Sequence, residues 1–376
     1  MPPGRSTATD ADPRIQGFLG VTIAHPHLKR AENDLRLRIR QPAGAALVLL
    51  CGPTGVGKTT LIERTIRETN RELLPTLEAD PDRLGIVSLR VMASEVSTFS
   101  WRDLYLRTLH ALAEPFAGDV PAGMITEKEL QSMKRQRATV ADVRERLISV
   151  LRVRRPAAVV WDESQHIALN LRPVHVVQQM EIMKSLANES GVLILAGTYD
   201  LVRLRNLNGQ LSRRSHDIHF PRYRAEDPRE REIFDAFVRQ LISRVPMATV
   251  GLEKRLDDIY ARTLGCVGNL KGWLTLALAH ALAQDHRRLE WRHLQETGKS
   301  KDQVMQMAME IAGGEQTYAD EDLSLEDVQK LLLPGSPMDR TPPGRRESSR
   351  RRRPGERNPA RDPAGRGAIA EFIGVP

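Results

Sequence analysis

Cysteine is nearly absent from this sequence. Only Cys51 and Cys266 occur among 376 residues, so neither a disulfide framework nor a cysteine-rich zinc site can be assembled. Aromatic residues are 4% of the chain, too few for an extended stacking surface. No apolar run approaches the roughly 18 residues that mark a membrane span. The longest, such as Ala45 to Cys51 and Gly191 to Gly197, have the length of strands. Met1 to Arg14 holds no apolar stretch of the kind that forms a secretory signal. The expectation is a protein with no membrane partner in a reducing, cytoplasmic compartment.

Hydrophobic residues make up 40%, enough for a core, and the length allows two or three folding units at roughly 100–200 residues each. The formal net charge is +8, unevenly spread. Ten arginines and five acids lie between Asp339 and Pro376, a net +5, which leaves +3 for Met1 to Met338. A basic balance points to a polyanionic partner. More than half of it sits in a tail without a core-forming pattern.

Residues 1–15 read as a flexible arm. From Pro26 to Arg40, Leu28, Ala31, Leu35 and Ile39 fall near helical spacing and predict an amphipathic helix. Ala45 to Leu50 is a short continuous apolar run, the pattern of a strand buried on both faces. A glycine-rich turn and a helix from about Lys58 to Arg71 follow. Strands are then expected at Gly85–Met92, Ala157–Trp161, Val192–Ala196 and Asp217–Phe220. They alternate with helices at Trp101–Leu112, Thr139–Val153 and Val174–Ser190. Such alternation implies an α/β fold, a mostly parallel sheet flanked by helices. After Pro221 helices dominate, at Pro228–Val245, Leu252–Leu264, Gly268–Ala283 and Trp291–Ala312. The expected organisation is an α/β domain over 16–224 and a small all-helical domain over 225–312. A linker and a disordered, Arg-rich basic tail over 313–376 complete it. The apolar stretch Ile369 to Val375 reads either as a docking peptide or as a plain terminus.

The strongest motif is Gly52-Pro53-Thr54-Gly55-Val56-Gly57-Lys58-Thr59, with Thr60 next in the chain. It satisfies G-x-x-x-x-G-K-[ST] between an expected strand and an expected helix, the context that a P-loop requires. Backbone N–H groups of such a loop wrap phosphates, and the helix dipole favours the negative charge. Lys58 is the candidate for the β- and γ-phosphates of ATP, and Thr59 for Mg²⁺. Val159-Val160-Trp161-Asp162-Glu163 supplies the second element, an apolar strand ending in two carboxylates. Asp162 is the candidate for the Mg²⁺ shell and Glu163 for polarising the attacking water.

Thr198 ends a further apolar strand and is a candidate γ-phosphate sensor. Arg213 or Arg214, ahead of the short strand, is a candidate for stabilising charge on the transferring phosphoryl group from a neighbouring subunit. Lys271, in the Gly268-Asn269-Leu270-Lys271 helix opening, either folds over the nucleotide or lies on an exposed face. His25-x-His27 has no cysteine or acidic cluster to complete a metal site, and His166 belongs to no H-E-x-x-H motif.

The P-loop, the Asp162-Glu163 pair, Thr198, the arginines at 213–214 and the helical lid together resemble AAA+ ATPases. Within that class the chain resembles the TniB/TnsC-type transposition regulators, kin of the MuB transposition ATPase, over roughly residues 15–300. That finer resemblance rests on three stretches. They are the lead-in Phe18 to Arg40 with His25-Pro26 ahead of a helix, the run Asp162-Glu163-Ser164-Gln165-His166, and Gln210-Leu211-Ser212-Arg213-Arg214 followed by Ile218 to Pro221. The resemblance implies an ATPase that polymerises on double-stranded DNA as a ring or helical filament, marks the insertion site and recruits a transposase. A TniQ-type target-selection protein is a further implied partner. Two departures stand out: Ser215 follows the arginines where an aromatic or apolar residue is usual, and Lys271 replaces the arginine common at the lid position.

In such an assembly duplex DNA would lie along an inner channel. The segment Met124 to Thr139, with Lys128, Lys134, Arg135 and Arg137, is the candidate channel loop, where cations would neutralise phosphates without reading bases. A solvated helix face is the competing reading. Arg90, Ser94 and Thr98 are secondary candidates. The run Arg350 to Arg353 offers a separate basic site. The rival functions are a helicase loader or replication-initiation ATPase, which shares fold and DNA partner, a secretion-associated ATPase, and a scaffold that binds ATP without turnover.

Overall fold

A computed structural model of the chain describes residues 12–42, 47–93, 99–113, 133, 138–169, 183, 185–189, 191–202, 215–316 and 318. Five parallel strands build one sheet: β1 (Leu47–Cys51), β2 (Ile86–Arg90), β3 (Ala158–Asp162), β4 (Leu193–Gly197) and β5 (Ser215–His219). Their spatial order is β2-β3-β4-β1-β5. The central strands β1, β3 and β4 are buried throughout, as their unbroken apolar runs require, whereas the edge strands β2 and β5 are only partly buried.

The side chains of β1 alternate between two cores. Val48 and Leu50 face helices α2 (Pro26–Arg40) and α3 (Lys58–Ala79) with Leu35, Ile39 and Leu61. Leu47, Leu49 and Cys51 face α4 (Trp101–Ala113) and α5 (Val140–Arg154), among Leu109, Leu147 and Val150. Helix α1 (Pro13–Gly20) precedes these, and α6 (Gln165–Leu169) is a short helix directly after β3.

Local chemistry sets the helix starts. Thr139 and Asp142 form a reciprocal capping box on α5, and Pro26 occupies the first turn of α2 behind the cap residue His25. Helix α3 runs past the expected Arg71 and through Pro75 to Ala79.

Beyond Pro221 come α7 (Pro228–Ile242), a 3₁₀ turn (Leu252–Lys254), α8 (Leu256–Thr263), α9 (Val267–Ala283), α10 (Trp291–Thr297) and α11 (Lys301–Gln316). Phe234, Val238, Leu241, Leu270, Leu274 and Leu278 build a separate core here, into which α1 inserts Phe18. This helical part also holds two three-residue strands, β6 (Ala248–Val250) and β7 (Arg288–Glu290), paired in parallel with Thr249 opposite Leu289. The helix expected over Trp291–Ala312 is two helices. Gly298 is extended, and Ser300 and Gln303 cap the second start reciprocally, Gln303 N–H to Ser300 Oγ at 3.3 Å and Ser300 N–H to Gln303 Oε1 at 2.9 Å. The strand expected at Asp217–Phe220 begins two residues earlier, at Ser215. Of the helix expected over Val174–Ser190, residues 183 and 185–189 are described and are helical.

The described residues all belong to one compact unit, which lies within Met1–Ala319. Among the described residues no helix is long and apolar enough to cross a membrane.

Candidate functional site

Because the strands are parallel, their carboxyl ends share one edge, where ligands of open α/β sheets bind. Three candidate segments leave that edge: the loop after Cys51, the Asp162-Glu163 pair, and Thr198. The loop turns into α3 through Gly57, whose φ of +108° only glycine adopts without strain. Gly57 caps α3 without a side-chain hydrogen bond, so the first-turn N–H groups keep their capacity for an anion.

Lys58 is buried, with its Nζ donating to the carbonyls of Gly52 and Pro53, each at 2.9 Å. Burial lowers its pKa, opposed by the carboxylates of Glu163 and Asp162. The lysine is thus folded onto its own loop, within the field of both acids. Thr59 Oγ1 donates to Asp162 Oδ2 at 2.9 Å across 103 residues of sequence. The other oxygen of Asp162 accepts the N–H of Glu163 at 2.9 Å. A hydroxyl and a carboxylate, both hard oxygen donors, fit Mg²⁺, which takes few protein ligands and leaves its other positions to water and phosphate. Among the described residues no group of three or more His, Cys, Asp or Glu is placed to hold a metal.

Glu163 has a left-handed φ of +58° and a partly exposed carboxylate. Its Oε1 stands 3.6 Å from Nη2 of Arg90, at the end of β2, and its Oε2 accepts from Gln165 Nε2. Thr198 N–H donates to Gln165 Oε1 at 3.3 Å, and Thr198 Oγ1 donates to Asp200 at 3.1 Å. Thr198 and the loop residues Pro53 and Thr54 line one cavity of about 520 Å³, whose far wall is α11 with Met307, Met309 and Glu310. The helix α11 is fastened by Glu315, which pairs with Arg222 at 3.0 Å, and Tyr318 just beyond it stacks on His219 at 4.4 Å.

On the other side of the loop, Val21, Ile23, His25, Val56, Thr60 and Phe220 line a largely apolar slot closed by Gly268 and Lys271 of α9. Lys271 donates to the carbonyls of Leu19 at 2.5 Å and Val21 at 2.7 Å. Its ammonium group therefore fastens the segment after α1 to α9. Asn269 holds the phosphate loop: its N–H donates to Gly55 O at 2.9 Å and its Nδ2 to Thr54 O at 3.4 Å.

Lys58, Thr59, Asp162, Glu163 and Thr198 are thus brought to one sheet edge, with Gly52, Pro53, Thr54, Gly55, Val56, Gly57 and Thr60 around them. Arg213 and Arg214, and Lys128, Lys134, Arg135 and Arg137, lie outside the described residues, as do Ser94 and Thr98. Sequence reasoning missed Asn269, the Gln165 bridge and the Arg222–Glu315 pair. Gln165 carried a signal, since it falls within the Asp162 to His166 run.

Residues 40–205 match the family described as AAA domain. The match covers less than half of the chain and, with the five-stranded parallel sheet, gives its fold as the AAA+ P-loop fold. No curated protein matches the sequence. Among solved structures, the Orc1 protein of Aeropyrum pernix in complex with DNA is 17% identical, with a TM-score of 0.51 over 75% of this chain and 68% of that one. At that identity the likeness shows the fold. A Walker-type ATPase of Pyrococcus abyssi is 13% identical, with a TM-score of 0.47 over 77% and 74% of the two chains. Domain III of the Thermotoga maritima replication initiation protein DnaA is 12% identical, with a TM-score of 0.42 over 77% and 97%. Those two superpositions are too loose to bear on function.

Proposed function

We propose that this chain is an ATP-dependent DNA-binding regulator of transposition. In this reading it oligomerises on duplex target DNA when ATP is bound, recruits or activates a transposase, and uses hydrolysis to end that state. The observation that carries the switch is the set Lys58, Thr59, Asp162, Glu163 and Thr198 at the carboxyl edge of one parallel sheet. Binding without turnover would have no use for Glu163, a second carboxylate placed beside Asp162.

In this reading the α3 N-terminus and the loop N–H groups hold the phosphates, and Lys58 leaves the carbonyls of Gly52 and Pro53 to reach the β- and γ-oxygens. Thr59 and Asp162 would hold Mg²⁺, which would supply charge neutralisation to the phosphates. Glu163 orients and polarises the attacking water. The apolar slot beside His25 and Phe220 takes the base, and Asn269 keeps the lid on the loop. Arg213 or Arg214 of an adjacent subunit completes the site, so turnover depends on assembly.

The transposition role rests on the resemblance over residues 15–300, and transposase and TniQ-type partners enter on the same ground. DNA contact through Lys128, Lys134, Arg135 and Arg137 rests on their charge and place in the chain. A replication-initiation ATPase or helicase loader is the second reading, favoured by the fold shared with an Orc1 protein whose structure was determined with DNA. Imaging the protein with duplex DNA and ATP, ADP or a slowly hydrolysed analogue tests the proposal. Rings or filaments on DNA that require ATP or the analogue support it, and protein indifferent to both DNA and nucleotide overturns it. Recruitment of a replicative helicase in place of a transposase selects the second reading.

A further inference from the structure

We propose that Gln165 is a positioning residue for ATP hydrolysis, a rigid link that couples the carboxylate of Glu163 to the end of β4. This rests on the reading of Glu163 as the group that polarises water.

The carboxylate of Glu163 needs an external constraint. Two of its polar neighbours, Arg90 and Gln165, differ in kind. Arg90 approaches Oε1 only to 3.6 Å and its side chain is 71% exposed, so solvent screens the pair and leaves it loose. Gln165 is 8% exposed and holds Oε2 by a direct hydrogen bond. A neutral amide in that position fixes direction without altering the charge of the site.

The same amide has a second bond, and that bond settles its orientation. The Thr198 N–H is only a donor, so the amide oxygen must face Thr198, at 3.3 Å, and the NH₂ group must face Glu163. Both functional ends of one short, buried side chain are thereby committed. The missing side chain of Gly197 leaves room for this amide. A Cβ there would stand 2.5 Å from Gln165 Oε1 and 3.1 Å from the Gln165 backbone nitrogen.

Thr198 lines the same cavity as Pro53 and Thr54 of the phosphate loop. A displacement of the Thr198 backbone on contact with the terminal phosphate therefore reaches Glu163 through two hydrogen bonds and one planar group. Gln165 makes the position of the water-polarising carboxylate depend on what Thr198 meets.

The test uses the full chain with duplex DNA and Mg-ATP, measuring kcat and KM, nucleotide affinity and thermal unfolding. Gln165→Met keeps the volume and length of the side chain and removes both hydrogen bonds. Gln165→Leu removes the same two hydrogen bonds with a branched apolar side chain. Each is expected to lower kcat by about ten- to a hundredfold, with nucleotide affinity and unfolding temperature close to those of the parent. Gly197→Ala displaces the same amide from the opposite side and is expected to lower kcat as well, which keeps the test decisive should Gln165→Met fail to fold. Wild-type kcat in Gln165→Met or Gln165→Leu overturns the proposal, because filling the space would then suffice. If Glu163→Gln is inactive while the Gln165 variants turn over normally, only the link through Gln165 is wrong. Normal turnover in Glu163→Gln overturns both the link and the role of Glu163.

Discussion

His25 offers a prediction that can be worked from its contacts. Its Nδ1 accepts the Leu28 N–H at the start of α2 (3.4 Å), and the same atom lies 2.8 Å from the hydroxyl of Tyr223. A nitrogen that accepts is unprotonated, so the ring is the neutral tautomer with its proton on Nε2. Phe220 and Phe237 pack on it at 6.1 and 5.4 Å, and it is 6% exposed. Burial, with a smaller contribution from His27, brings its pKa down to about 4. The folded state therefore holds the neutral ring while the unfolded chain protonates it below its ordinary value of 6.5. The stability from His25 is complete above pH 6.5 and is lost as pH falls toward 4, by at most about 3 kcal/mol.

His25→Ala removes a cap, a hydrogen bond and buried volume, costing about 2–4 kcal/mol at pH 7.5. The difference between the two proteins should shrink as pH is lowered from 7 toward 4.5, because only the parent carries the penalty for protonation. Urea unfolding at a series of pH values measures it. Titrating groups other than His27, which interacts with His25, are common to both proteins and cancel in the difference. A gap that is under about 0.5 kcal/mol at pH 7.5, or that does not change with pH, would refute the reasoning.

Three further outcomes follow from the geometry. Lys58→Ala should abolish nucleotide binding measured by calorimetry while the chain stays folded. Asn269→Ala removes the side-chain tie between lid and loop and should raise the ATP dissociation constant up to about tenfold, equivalent to roughly 1 kcal/mol, with kcat affected less. Glu315→Ala leaves the guanidinium of Arg222 without its carboxylate and should loosen α11, with about 1–3 kcal/mol less protection of its amides in hydrogen exchange; unchanged protection across Lys301–Gln316 would show that Ile311 and Tyr318 hold the helix unaided.

Much of the nucleotide site was legible because its signals are local. The apolar runs of β1, β3 and β4 admit no solvated face, and each ends at the residue that carries chemistry: Cys51 before the loop, Asp162, and Gly197 before Thr198. Parallel pairing then places those ends together, so the hydrogen bond from Thr59 to Asp162 follows from topology. The lid contacts were not legible. Asn269 reaches Thr54 across 215 residues and Arg222 reaches Glu315 across 93, and a polar pair at such separation leaves no periodicity to read. The use of Lys271 was hidden for the same reason, since its partners are backbone carbonyls of Leu19 and Val21. The break at Gly298 differs: Ser300 and Gln303 form a capping signature that the sequence displays.

In the proposed reading the protein is a nucleotide switch: ATP binding builds a state on DNA, and hydrolysis at Glu163 ends it. The most direct measurement is the lifetime of ATP-dependent complexes on duplex DNA, followed by single-molecule fluorescence for the parent chain and for Glu163→Gln. The expected result is equal nucleotide affinity, no turnover in the variant, and complexes that persist after free ATP is removed while those of the parent dissolve. Equal lifetimes, or turnover by the variant at the parent rate, would contradict the claim.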